Sequence, residues 1–252
     1  MTEIGKAAVT LSGGVDSSYL ACVAKETLGD NVRAVTFSSP LLPDREMAEA
    51  QKLAGYLSVP HEFIEIDELS DENFSGNPKD KCYICKKLRL DAISSWAKER
   101  GIPWILDGSN TDDLSDYRPG MKALAEFPNV RSPFLEAGIN KKEIRILSKL
   151  SGLPMWNKPA AACLASRISP DQPITKHNLK QVEAAEEFLY SILPAETQFR
   201  VRHHAQTARI EADADQMDKI IAGSREIERR FKEIGFKYVT LDLAGYQKGS
   251  LN

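Results

Sequence analysis

The string Ser12-Gly13-Gly14-Val15-Asp16-Ser17-Ser18 carries the clearest chemical promise in this sequence. Glycines let a backbone approach a phosphate closely and take dihedrals that other residues avoid. An apolar run, Ala7-Ala8-Val9-Thr10-Leu11, precedes the string, and Leu20, Val23, Ala24 and Leu28 follow it at helical spacing. A helix starting there turns unpaired N–H groups and the positive end of its dipole toward an anion. Ser12, Ser17 and Ser18 add hydroxyl donors. The Gly-Lys-Ser/Thr ending of a Walker A loop is missing, which excludes a P-loop of that kind. Asp16 would repel an anion on its own, so it points to a magnesium ion or to a helix-terminus role.

A second polar string, Asp107-Gly108-Ser109-Asn110-x-Asp112-Asp113, follows the short apolar run Trp104-Ile105-Leu106. By itself it suits a turn with a helix cap, which Ser109, Asn110 and Asp112 could each provide. Cys82 and Cys85 open a helical pattern, and two thiols so spaced can ligate one metal, form a redox pair or carry no ligand. A four-cysteine zinc site needs two further ligands, and Cys163 supplies one thiol. Three cysteines on an iron–sulfur cluster would leave one iron open for a sulfide. Cys22 lies among apolar helix positions and reads as core. Arg167, after the small-residue run Ala160-Ala161-Ala162 and Cys163, could hold a phosphate or carboxylate bidentately. Arg200 and Arg202 alternate on a strand and share a face, which suits either a phosphate or plain solvation.

These residues need a scaffold. Short strands at 7–11, 32–37, 61–66 and 104–106 alternate with helical patterns at 17–28, 45–57, 83–100 and 141–151. Such alternation predicts an α/β fold with a doubly wound, mostly parallel sheet, whose ligands lie beyond the carboxyl ends of the strands. Both polar strings fall there. Residues 69–81 read as a loop, and 111–133 as an active-site loop with a short helix. The pattern changes after Ser169: a helix over 174–192, paired strands at 199–202 and 207–211, a helix over 215–235 and a strand at 238–243 predict a smaller α+β unit. The expected domains are therefore 1–168 for the nucleotide and 169–252 for substrate binding or oligomerisation.

Composition bounds the function. The net charge of −3 supplies no positive field for nucleic acid or a membrane surface. No apolar run approaches a membrane span and no signal-peptide pattern opens the chain, so a cytoplasmic protein is expected.

The first string resembles the PP-loop of the ATP pyrophosphatase superfamily, whose members cleave ATP between the α and β phosphates. In that superfamily the second string lies near ATP and metal, and adenosine lies where Ser38 and Ser39 fall, past the second strand. The whole chain resembles the LarE family of ATP-dependent sulfur transferases that build the nickel-pincer nucleotide cofactor. Leu11 to Ser17, Asp107 to Asn110 with Asp116-Tyr117-Arg118-Pro119-Gly120, Cys163-Leu164-Ala165-Ser166-Arg167, Phe199 to His203 with Ala208-Arg209-Ile210-Glu211, and Leu241 to Ser250 carry the resemblance.

The resemblance implies ATP and Mg2+ as cofactors and a pyridinium dicarboxylate mononucleotide as substrate. One carboxylate would be adenylylated and then converted to a thiocarboxylate. ATP would bind Ser12, Gly13, Gly14, Asp16, Ser17, Ser18, Ser38, Asp107, Gly108 and Asn110. The substrate would bind Arg167, Arg200, Arg202 and Glu211, and Asp16, Lys86 and Cys163 would be catalytic. In one branch of the family the cysteine matching Cys163 sacrifices its sulfur. The added Cys82 and Cys85 match the other branch, in which three cysteines hold a 4Fe–4S cluster. Lys86, Lys87 and Lys158 are candidates to offset pyrophosphate charge; His203, His204, Trp96, Trp104 and Trp156 have no role legible in the sequence. A homo-oligomer is expected from the family. The competing readings are a tRNA thiolase, an ammonia-dependent amide-forming synthetase, and a metal carrier that keeps only the nucleotide fold.

Overall fold

The computed structural model describes residues 4–115, 120–159, 162–194, 197–247 and 249–251. Asp116 to Pro119 and Ala160-Ala161, quoted above, lie outside the described residues. The elements run β1 (Ala7–Thr10), α1 (Val15–Leu28), β2 (Val32–Ser38), α2 (Asp44–Tyr56), β3 (His61–Glu65), α3 (Glu72–Ser75), α4 (Lys81–Glu99), β4 (Trp104–Leu106), α5 (Asp112–Ser115) and α6 (Gly120–Leu124). They continue with β5 (Val130–Arg131), α7 (Pro133–Glu136), α8 (Lys141–Leu150), α9 (Lys176–Ile192), β6 (Phe199–His204), β7 (Thr207–Ala212), α10 (Met217–Ala222), α11 (Ser224–Ile234) and β8 (Tyr238–Leu241). The chain forms two compact units, Met1–Glu68 with Asp80–Ala160 and Leu69–Lys79 with Ala161–Asn252. The sequence pattern places a single boundary near 168.

The first unit holds a five-stranded sheet in the order β3-β2-β1-β4-β5. Every neighbouring pair is parallel. Strand alternation sorts its side chains to two covered faces. Ala7, Val9, Val32, Ala34 and Leu106 pack with Leu20, Ala24, Leu53 and Ile144 from α1, α2 and α8. Ala8, Val35, Phe37 and Ile105 pack with Leu90, Ile93 and Trp96 from α4. The doubly wound sheet is thus as expected. Cys22 is buried, and burial followed by the neighbouring Glu26 carboxylate pushes its thiol up to about 11, which suits a core position.

Three expectations are corrected. Residues 69–81 are not all loop: Asp71 caps α3 by accepting from Asn73 N and Phe74 N, Phe74 is buried, and α4 already starts at Lys81. The stretch 111–133 holds two helices and a fifth strand, β5, whose two residues are too few to show a period.

The third correction lies in the second unit, where the expected helix over 215–235 breaks at Gly223 into α10 and α11. A Cβ at Gly223 would stand 3.4 Å from the Lys219 carbonyl oxygen. The sheet of this unit runs β6-β7-β8, with β6 and β7 antiparallel and β7 and β8 parallel. Ala185 and Leu189 of α9 pack on Val201, Ala208 and Ile210, and Ile227 and Phe231 of α11 complete the core. Thr175 starts α9 through a reciprocal capping box with Asn178. Among the described residues no helix is long and apolar enough to cross a membrane.

Candidate active site

In the first unit the two polar strings meet. A cavity of about 300 Å³, at the small end of the range that holds ligands, is lined by Ser12, Gly14, Asp16 and Ser17 from one string and by Asp107, Gly108, Ser109 and Asp113 from the other. It lies past the carboxyl ends of β1 and β4, where a parallel sheet offers open backbone groups. Gly13 has a φ of +71°, a conformation that favours glycine, so the chain can turn from β1 into α1. Ser12 and Ser17 hydroxyls lie 3.1 Å apart, and Ser12 N donates to Ser17 Oγ at 3.2 Å. Ser18 is fully buried, and its hydroxyl donates to the Gly14 carbonyl at 2.6 Å, so it braces the turn from behind.

Gly108 brings the second string against the first. A Cβ there would stand 3.3 Å from Ser17 N and 3.4 Å from Asp16 C, both backbone atoms of the first turn of α1. Asn110 is buried and shapes the turn: its N–H donates to Asp113 Oδ2 at 3.0 Å and its Oδ1 accepts from Asp112 N at 3.1 Å. Ser38 ends β2, with its carbonyl accepting from Ile66 N at 3.0 Å.

Charge is concentrated at the cavity. Lys86 pairs with Asp107 and lines the cavity with it. Burial alone would raise the Asp107 carboxyl, but Lys86 and the Ser109 hydrogen bonds hold it below the usual range. Asp16 pairs with Lys141 at the start of α8. Burial nevertheless pushes the Asp16 carboxyl up, with the Asp113 charge adding to it and Lys141 opposing it. Its Oδ1 is buried without a hydrogen-bond partner among the described residues. An orphaned carboxylate oxygen beside a second carboxylate fits a hard divalent cation. Lys158 donates to the Gly13 carbonyl at 3.1 Å and to Glu49 at 2.6 Å. Lys87 instead pairs with Glu126 at an exposed position.

The sequence reading misses Lys141, Arg89 and Glu68. Two of these had no local signal. Lys141 did: Lys141 and Lys142 open a helix whose dipole disfavours cations there, so an anionic partner was to be expected.

Cys82 and Cys85 stand one turn apart at the start of α4, Cys82 exposed and Cys85 half-buried. Cys85 directs its thiol to Glu68 Oε1 at 3.9 Å. Among the described residues no group of three or more His, Cys, Asp or Glu side chains is placed to hold a metal ion.

In the second unit Arg167, Arg200, Arg202 and Glu211 are all buried. A solvated strand face is thereby ruled out for Arg200 and Arg202. Arg167 makes a forked pair with Glu186, Nε to Oε1 at 3.0 Å and Nη2 to Oε2 at 3.1 Å. Another of its nitrogens donates to the Cys163 carbonyl at 3.0 Å, which fixes the backbone beside that half-buried thiol. Arg202 forks onto Glu211 at 2.9 and 2.7 Å and reaches the Ser166 carbonyl at 3.1 Å. Arg200 lies over the Tyr246 ring. Burial, then the Arg167 charge, lowers the Arg200 pKa, and the neighbouring Glu186 opposes this. Glu186 was not singled out in the sequence. His203 is buried between the amide oxygens of Gln172 and Gln181, at 3.3 and 3.1 Å, and holds structure.

Comparison with known proteins places this geometry. The asparagine synthase family model matches residues 1–75, the segment that contains the glycine string. The chain is 40% identical over 252 residues to an uncharacterised protein of Synechocystis sp., spanning 99% of this chain and 93% of that one. It is 35% identical over 254 residues to pyridinium-3,5-bisthiocarboxylic acid mononucleotide synthase of Lactiplantibacillus plantarum, spanning 100% of this chain and 91% of that enzyme. Similarity to a glutamine-hydrolysing GMP synthase of Aeropyrum pernix is lower, 27% over 203 residues, and covers 39% of that protein. The full-length match, with the glycine string and its paired aspartates gathered at one cavity, means that the chain belongs to the LarE family, that of pyridinium-3,5-bisthiocarboxylic acid mononucleotide synthase, and is an ATP-dependent sulfur-transferring enzyme.

Proposed function

We propose that the protein adenylylates a carboxylate of a pyridinium dicarboxylate mononucleotide and converts it to a thiocarboxylate. The observation that carries this reading is the cavity past β1 and β4, where the Ser12–Ser18 string, Lys86 and the orphaned Asp16 oxygen converge. A carboxylate is a poor electrophile. Attack by its oxygen on the α-phosphorus of ATP releases pyrophosphate and leaves a mixed anhydride whose AMP is a good leaving group. A sulfur nucleophile then adds to the carbonyl carbon, and AMP departs.

The Ser12–Ser18 backbone and the first turn of α1 cradle the pyrophosphate, and Lys86 offsets its charge. Asp16 and Asp113 would hold magnesium, which when bound supplies positive charge to the phosphates. In the second unit Arg167, Arg200 and Arg202 take the substrate phosphate, with Glu211 orienting Arg202. Burial chiefly, then the Arg167 charge, lowers the Arg200 pKa, and an incoming phosphate would offset both by pairing with the guanidinium.

We assign sulfur delivery to a 4Fe–4S cluster, which Cys82, Cys85 and Cys163 would hold. Cys82 and Cys85 share one helical turn, which suits two thiolate ligands, while Cys163 belongs to the other unit. When bound, the cluster would supply an iron without a protein ligand, available to a sulfide. The second reading uses Cys163 itself: its sulfur attacks the carbonyl, AMP leaves, and loss of the Cα proton with cleavage of the Cβ–Sγ bond leaves dehydroalanine.

The test is incubation of anaerobically purified protein with ATP, Mg2+, sodium sulfide and the pyridinium dicarboxylate mononucleotide. AMP, pyrophosphate and a thiocarboxylate product are expected, with Cys163 intact by mass spectrometry. Loss of one sulfur from Cys163 would move the reaction to the second reading. Absence of pyrophosphate release would reject adenylylation altogether.

A further inference from the structure

The apolar side of the nucleotide cavity contains a cation that none of the family motifs includes. Arg89 of α4 lines it together with Phe37, Leu42, Leu90 and Ile93. Its guanidinium carbon stands 5.4 Å from the centre of the Phe37 ring. Nε donates to Glu68 Oε1 at 2.7 Å, and Nη2 to Ser39 Oγ at 3.4 Å. Ser39 in turn donates to Glu68 Oε2 at 2.6 Å. Glu68 is 0% exposed, so its carboxylate has surrendered its water entirely. Such burial is expensive and is weak evidence for stability on its own, because an apolar replacement would often serve as well. The carboxylate is better understood through what it holds: the plane of a guanidinium, fixed from two sides, along one wall of a cavity.

The same cavity carries the phosphate-side groups Ser12, Ser17 and, one turn before Arg89 on α4, Lys86. The Arg89 wall is apolar apart from the guanidinium. A planar, delocalised cation over an aromatic ring is a stacking surface for a purine, which a lysine ammonium does not offer. We propose that Arg89 is a further nucleotide-positioning residue that forms the base-side wall of the cavity, and that Glu68 is the positioning residue that holds it there. The same carboxylate accepts from the Cys85 thiol at 3.9 Å, so the cysteine-bearing turn of α4 is tied to the wall that receives the base. This inference rests on the nucleotide reading of the cavity.

The experiment is calorimetric titration of the full-length protein with adenosine, ATP and inorganic pyrophosphate as separate probes. Arg89→Ala should weaken adenosine and ATP binding by about tenfold or more, the scale of a contact to a charged group, and leave pyrophosphate binding unchanged. Arg89→Lys should not restore adenosine binding. Glu68→Gln, which keeps the shape and removes the charge, should raise KM for ATP while leaving kcat within about twofold, the pattern of lost uniform binding. Thermal melts of all three variants identify any that fail to fold, and Arg89→Gln, which keeps the apolar stem, then replaces Arg89→Ala. Adenosine affinity unchanged in a folded Arg89 variant would overturn the proposal, as would an equal loss for pyrophosphate. A kcat loss with unchanged KM in Glu68→Gln would overturn the role of Glu68. Wild-type protein that bound none of the probes would overturn the nucleotide reading itself, and this inference with it.

Discussion

Lys141, at the first position of α8, donates to the carboxylate of Asp16, in the first turn of α1, across 125 positions of sequence. The pair sits on the glycine string, and only one Asp16 oxygen is satisfied by it. Lys141 therefore holds in place the carboxylate that the site needs charged. Removing it leaves a buried carboxylate with one partner fewer, which is costly in a low dielectric. Lys141→Met should lower the rate of AMP release by about tenfold to a hundredfold, the range expected from losing a charge-assisted hydrogen bond. An AMP-release assay with saturating substrate checks this; a rate within twofold of wild type would show that Lys141 is not needed.

Gly108 makes a separate prediction. Its backbone lies so close to Ser17 N and Asp16 C that a methyl group must displace one string from the other. Neither neighbour is a flexible side-chain tip, so neither can swing aside. Gly108→Ala should cost about 1–3 kcal/mol of stability, as overpacking does elsewhere. Denaturant unfolding reads the stability, and ATP titration reads the loop, which should bind more weakly.

How much of this was legible follows from where each signal lies. The Ser12–Ser18 string announces itself because strand, glycines and helix start are contiguous, and the chemistry depends on that contiguity. The alternation of strands and helices likewise gives the parallel sheet. Glu186, Glu68 and Arg89 are silent in the sequence because each acts through a partner brought close by folding: Arg167 for Glu186, and Glu68 for Arg89. A lone carboxylate on a helix reads as solvated until its partner is known. β5 was missed because two residues carry no period, and its place at the sheet edge is set by pairing with β4. The break at Gly223 was missed because the apolar spacing continues through it into α11.

The Arg167–Glu186 pair predicts a pH dependence. Burial would raise the Glu186 carboxyl, but Arg167 chiefly, then Arg200 and the Val201 N–H, hold it below the ordinary carboxylate range. A depressed folded-state pKa contributes stability that is fully present above the unfolded value, near 4.3 for glutamate, and is lost as pH falls through the folded value. Wild-type stability should therefore fall as pH drops below about 4.3 and through the depressed folded value. Glu186→Gln should lose about 3 kcal/mol at pH 7, since it strands a buried arginine, and should show a shallower acid decline. Chemical denaturation at pH 7 and pH 3.5 checks both; parallel pH profiles for the two proteins would refute the assignment.

The cysteines give the sharpest division between the two sulfur routes. Cys82 is exposed and Cys85 directs its thiol to Glu68, so neither is packed as a core residue in the way Cys22 is. If the cluster delivers sulfur, Cys82→Ser removes one of three ligands and should abolish bound iron and the visible absorbance, while a single turnover of pyrophosphate release persists because the adenylylating cavity is untouched and AMP stays on the carboxylate for want of a sulfur nucleophile. Cys163→Ser should do the same. If Cys163 donates its own sulfur, the two variants part company. Cys82→Ser still makes one thiocarboxylate per polypeptide and converts Cys163 to dehydroalanine, so its intact mass falls by the elements of hydrogen sulfide, whereas Cys163→Ser makes none. Iron analysis, pyrophosphate release and intact mass on wild type and the two variants separate these outcomes. Pyrophosphate release that failed together with iron in Cys82→Ser would contradict both routes, because it would place the cysteine turn of α4 inside the activation step rather than after it.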